Sequence, residues 1–107
     1  MTTSRVRALR WTARAERDVE EQAARIGADD ARAARRWLER VIRHVEKTST
    51  IPLAGRVVPE LGRDDIRETS LGRYRIAYRV DPIEIALLAV FASERSGWPD
   101  EADPDAT

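Results

Sequence analysis

The side chains in this chain with the greatest capacity for chemistry are arginines. From Tyr74 to Val80 the residues alternate with period two, so Tyr74, Ile76, Tyr78 and Val80 point to one side of a strand. Arg73, Arg75, Ala77 and Arg79 point to the other. If Ile66 faces the same side as the apolar set, the same alternation brings Arg67 onto the arginine face, with Arg56 and Arg95 at its margins. A guanidinium is a planar, permanently charged fork suited to phosphate or carboxylate. Positioned arginines can stabilise the phosphorane formed when a 2′-hydroxyl attacks a phosphodiester, but a group protonated near neutral pH is a poor general base. The residues alone leave a second reading open, in which these arginines pair with Glu68, Glu84 and Asp65 as a solvated surface.

Other catalytic templates are missing. The chain has no cysteine, and His44, its one histidine, has no ligand or nucleophile beside it in sequence. There is no Gly-rich phosphate loop, no pair of histidines at metal spacing and no serine in a strand-to-helix elbow. No metal and no cofactor are expected, and no ordinary metal or nucleotide enzyme is indicated.

Charge narrows the reading further. The 19 Lys+Arg balance 19 Asp+Glu, yet residues 94–107 carry −4 and residues 1–93 carry +4, with 18 cations against 14 carboxylates. All the cations except Lys47 are arginine, which suits forked contacts and is equally what high-GC coding produces. A chain of 107 residues is one domain with a core of its own. No stretch approaches the roughly 20 apolar residues of a membrane span, so a soluble cytoplasmic protein is expected.

These arginines need a sheet to hold them. Ile83 to Phe91 is apolar on both faces apart from Glu84, as a covered interior strand would be, and pairs antiparallel with Tyr74 to Val80 across an Asp81-Pro82 turn. Arg5 to Trp11 alternates as a first strand, and Thr12 caps a helix from about Ala13 to Ile26 that Gly27 should stop. Asp29 or Asp30 caps a second helix to about Lys47, giving an antiparallel helix hairpin. In that helix Ala31, Ala34, Leu38, Val41, Ile42 and Val45 form the buried stripe. Arg32, Arg35, Arg36, Arg40 and Arg43, interrupted by Glu39, form either a solvated face or a ladder for an acidic partner.

Short strands at Arg56 to Glu60 and Asp65 to Leu71 precede the central hairpin. The fold class is α+β in two layers: an N-terminal strand, a helix hairpin, then a four-stranded, mostly antiparallel sheet with one face covered and one open. The expected core is Val19, Ile26, Leu38, Val41, Ile42, Tyr74, Ile76, Tyr78, Ile85, Leu87 and Val90. Residues 1–99 form the domain, with Trp98 folding back. Residues 100–107, polar and aperiodic, are expected to be a disordered, dispensable acidic tail.

Four segments in order, WTARAERDVEE, PLAGRVVPEL, IRETSLGRYRIAYRV and LLAVFASER, resemble the ParE/RelE superfamily of toxins from type II toxin–antitoxin modules, which includes plasmid stabilisation proteins. The resemblance covers roughly residues 5–96. It implies the fold just derived, a cytoplasmic location and a cognate antitoxin whose C-terminal segment wraps along the toxin. For a ParE-like member it implies poisoning of DNA gyrase, growth arrest and no established hydrolytic site. For a RelE-like member it implies ribosome-dependent cleavage of mRNA by basic residues on the sheet, here Arg67, Arg75, Arg79 and Arg95.

With a single lysine, no tyrosine after Tyr78 and no net charge, the chain departs from the RelE pattern, and the ParE-like branch fits better. Arg56, Arg73, Arg75, Arg79, Arg95 and Trp98 are then the expected contacts to antitoxin or target. An inert antitoxin-binding module is the third alternative.

Overall fold

The computed structural model describes residues 7–94 and 97–107. Its elements are β1 (Ala8–Trp11), α1 (Ala13–Asp29), α2 (Ala31–Thr50), a 3-10 turn at Pro52–Ala54, β2 (Arg56–Val57), β3 (Ile66–Leu71), β4 (Tyr74–Val80) and β5 (Glu84–Ala92). The sheet order is β1-β5-β4-β3-β2, with β1 parallel to β5 and the remaining pairs antiparallel. The α+β class, the helix hairpin and the antiparallel β4–β5 pair are those expected.

Local chemistry sets the helix ends. The Thr12 side chain accepts from the Ala15 N–H, and its hydroxyl donates to the Leu87 carbonyl at 2.6 Å, so one residue both starts α1 and anchors it to β5. Gly27 does not stop α1, which runs on to Asp29. A Cβ at Gly27 would lie 3.4 Å from the Ala34 Cβ, so the glycine sits where the two helices meet. Asp30 makes the break: its N–H donates to Ile26, while its carboxylate accepts from the N–H groups of Arg32 and Ala33 and caps α2.

The main core lies between the helices and one sheet face, built from Ala15, Val19, Trp37, Val41, Val45, Ile76, Tyr78, Ile85, Leu87 and Val90. Ile26, Leu38 and Tyr74 pack on it only partly buried, and Ile42, expected inside, is 50% exposed. Trp37 fills the position next to Tyr74, with ring centroids 5.3 Å apart.

The second sheet face is not open. A bulge in β5 at Leu88 turns Leu88 and Ala89 to the same side, where Ala86, Leu88, Val58 and Ile66 form one apolar cluster and Ala77, Ala89 and Phe91 another. Trp98 packs against both clusters, its ring edge-on to Phe91 at 5.9 Å. Residues 100–107, expected to be disordered, lie over this face: Ala102 is buried and the Trp98 Nε1–H donates to its carbonyl at 2.8 Å. The tail lacks periodicity, but it offers Ala102 to the apolar face and the carbonyls of Pro104 and Ala106 to Arg79. Among the described residues no helix is long and apolar enough to cross a membrane.

Candidate functional site

Cross-strand register decides which arginines share a face. Ile66 pairs with Arg79, Glu68 with Ala77 and Ser70 with Arg75, whereas Arg67 pairs with Tyr78 and Thr69 with Ile76. Tyr78 and Ile76 belong to the helix-side core, so Ile66 faces away from the helices and Arg67 lies on the opposite face from Arg75 and Arg79. The premise that grouped Arg67 with the others therefore fails. Its guanidinium donates to backbone carbonyls, Asp64 at 2.8 Å and Gly55 at 3.2 Å, and ties the loop before β3 to the loop before β2.

Arg75 sits in a carboxylate cage. Its Nε–H donates to Glu68 Oε1 at 2.7 Å, and its two terminal nitrogens donate to the two oxygens of Glu60 at 2.9 Å each. The guanidinium lies 4.8 Å from the centre of the Phe91 ring. Arg56, on β2, pairs with the other oxygen of Glu68. The hydrogen bonds from Arg75 hold the Glu60 carboxyl below the ordinary glutamate range, and Glu60 in turn raises the guanidinium pKa against the cost of burial. Glu60 escaped the sequence reading, although it stands within PLAGRVVPEL. Its only signal was a carboxylate between Pro59 and Leu61.

Arg79 is 8% exposed and bound by the tail. One terminal nitrogen donates to the carbonyls of Pro104 at 2.9 Å and Ala106 at 3.0 Å, while Nε approaches Asp81 at 3.5 Å. Arg73 occupies the exposed β3–β4 turn and pairs with Glu94. Arg95 lies outside the described residues. Of the expected carboxylate partners, Glu68 is the one that pairs with Arg56 and Arg75. Glu84 pairs with Arg10 at 2.7 Å, and Asp65 is taken by Arg63 at 2.9 Å.

The PLAGR segment is fixed to this site from the helix side. The Tyr78 hydroxyl donates to the Pro52 carbonyl at 2.5 Å, and burial pushes the phenol pKa up. A Cβ at Gly55 would lie 2.1 Å from that hydroxyl, so glycine is required where the segment crosses Tyr78. His44 is on the helix layer, its Nε2 2.9 Å from the Thr69 hydroxyl. Burial, aided by Lys47, lowers its pKa.

Chemically, the described arginines of the second face are engaged by carboxylates, carbonyls and an aromatic ring. Arg67, Arg75 and Arg79 do not converge on a common point. Among the described residues, no group of three His, Asp or Glu side chains is placed to hold a metal.

No curated protein matches the chain in sequence. A solved structure of the chromosomal ParDE TA system from P. aeruginosa shares its fold, with a TM-score of 0.70 at 18% identity over 83% of this chain and 98% of that one. In sequence, residues 9–97 match the family described as ParE toxin of type II toxin-antitoxin system, parDE, and the chain belongs to that family.

Proposed function

We propose that the chain is a non-hydrolytic toxin whose target is DNA gyrase and whose activity is restrained by a cognate antitoxin in the cytoplasm. The observation that carries this reading is the dispersal of the RelE-type candidates. Arg67 faces one layer, while Arg75 and Arg79 are spent on carboxylates and carbonyls on the other. Among the described residues, a phosphodiester approaching Arg75 and Arg79 would meet guanidinium groups already engaged by carboxylates and carbonyls.

The antitoxin contact follows from exposure. Among the described residues, Arg56 and Arg73 are the accessible arginines of the expected set, with side chains 67% and 68% exposed. An antitoxin segment laid on this face would reach Arg79 only where residues 104–106, whose carbonyls now bind it, give way. The ParDE assembly named for the solved relative supports a partner of this kind.

Induction without antitoxin tests the whole reading. Growth arrest with filamentation and DNA-damage signalling, together with blocked supercoiling by purified gyrase, is the expected result. Cleavage of ribosome-bound messages with gyrase untouched would establish the ribonuclease reading instead, and unaffected growth would identify an inert antitoxin-binding module.

A further inference from the structure

Among the described residues, α2 carries a row of cations that form no ion pair. Arg32, Arg36, Arg40, Arg43 and Lys47 recur at intervals of four, four, three and four residues, which at 100° per residue confines them to about 80° of the α2 circumference. All five are exposed, and none forms an ion pair among the described residues. The row is about 22 Å long at 1.5 Å per residue. Carboxylates do stand nearby, since Glu39 and Glu46 flank one side of the row, but Arg35 lies beside them and α2 keeps a surplus of cations. At its C-terminal half the row borders a groove of about 410 Å³ lined by Arg40, Arg43, His44, Lys47 and Leu71.

We propose that α2 docks along the phosphate backbone of duplex DNA through Arg32, Arg36, Arg40, Arg43 and Lys47. A straight row of four forked guanidinium groups and one ammonium, none of them ion-paired among the described residues, matches a regularly charged polyanion, and 22 Å corresponds to about six base pairs at 3.4 Å each. Duplex is favoured over single strands because single-strand sites interleave cations with exposed aromatic platforms. The α2 aromatic, Trp37, is buried in the core instead. The contact carries no base readout, so it gives affinity and register without sequence preference. It goes beyond the gyrase reading and stands whether or not gyrase is the target.

The test uses the full chain and a fluorescent 20-base-pair duplex of arbitrary sequence, followed by anisotropy across a salt series. Four or five phosphate contacts should give a slope of log K against log[salt] of about −3.6 to −4.5, so that affinity falls on the order of 100-fold to 500-fold between 50 and 200 mM salt. An Arg36→Glu/Arg43→Glu variant should lose most of that binding. The neutral Arg36→Gln/Arg43→Gln pair should make the slope shallower by about two. An Arg17→Glu/Arg25→Glu variant, with the same change in net charge on exposed α1 positions, should bind as the parent does. Absence of salt-dependent binding, equal weakening by the α1 and α2 variants, or tighter binding of a single-stranded RNA of equal length would each overturn the proposal. So would an α2 variant that binds duplex normally but no longer co-purifies with the antitoxin, because the row would then be a surface for an acidic protein.

Discussion

Replacing Arg75 with alanine probes the second face at its centre. The side chain gives one hydrogen bond of 2.7 Å to Glu68, two of 2.9 Å to Glu60 and a cation–ring contact at 4.8 Å. Its loss leaves Glu68, whose side chain is 3% exposed, with Arg56 as the remaining cation, itself largely in water. Removing one member of a buried charge pair costs about 3–5 kcal/mol, and the retained Arg56 places this case near 3 kcal/mol. Since each kcal/mol lowers the melting temperature of a domain this size by roughly 4–8 °C, the expected drop is about 12–24 °C.

Urea unfolding followed by circular dichroism, run as a cycle with Glu68→Leu and the Arg75→Ala/Glu68→Leu double variant, isolates the cause. Apolar replacement of both buried partners should recover most of the loss, because Glu60 and Arg56 can turn to solvent and no unpaired charge remains inside. An Arg75→Ala cost below about 1 kcal/mol, or a double variant as damaged as the sum of its parts, would refute the view that burial of an unpaired carboxylate dominates.

Other positions give separate checks. Gly55→Ala would force a methyl to within 2.1 Å of the Tyr78 hydroxyl and 2.8 Å of the Glu68 carbonyl, and should lower stability by roughly 1–3 kcal/mol, measured by thermal melting. His44 has a folded-state pKa below its ordinary 6.5, so its contribution is fully present above about pH 6.5 and is lost as pH falls from there toward the folded value. A His44→Gln variant should flatten the melting temperature over that window. Glu60 is depressed below its ordinary 4.5, so its contribution is present above that pH and lost as pH falls through the folded value, a loss Glu60→Gln should not show. A chain ending after Pro99 should keep its β4–β5 core and melt only a few degrees lower, and a drop as large as that of Arg75→Ala would show residues 100–107 to be integral to the fold.

Much of the architecture was legible because it rests on local signals. The alternation of YRIAYRV, the two-sided apolarity of Ile85 to Phe91 and the caps at Thr12 and Asp30 each have a short-range physical cause. What the chain does not spell out is the second-face assembly. The β5 bulge reverses the phase of alternation at Leu88, and no residue type there announces it. Ile66 could face either layer until its register with Arg79 was known, and that one choice decides whether Arg67 joins the cluster or opposes it. Gly27 looked like a helix stop because helix ends use glycine, but its role is the close approach to Ala34. Cations followed the same logic in reverse. Arg56, Arg73, Arg75 and Arg79, for which pairing was one of two open readings, are paired, and the α2 arginines, read as a solvated face or a ladder, form no ion pair among the described residues.

How firmly the tail is held bears on how a partner reaches the sheet. Ordering eight residues costs roughly 1–2 kcal/mol each in backbone entropy. Against this stand two hydrogen bonds from a charged donor, Arg79, worth about 1.5–3 kcal/mol each, the Trp98–Ala102 bond, and the burial of two alanines. These gains do not exceed the ordering cost, and the ion pairs of Asp105 with Arg63 and Glu101 with Arg14 involve largely exposed carboxylates, where such pairs add little. Residues 100–107 are therefore a low-stability unit laid on a high-stability sheet, able to open without unfolding β4 and β5. A segment from another chain that offered carbonyls to Arg79 and a larger apolar side chain to the Ala77–Ala89 surface would gain what the tail gains, with more buried area for each residue ordered. The face would then exchange an intramolecular cover for an intermolecular one at little cost to the fold beneath.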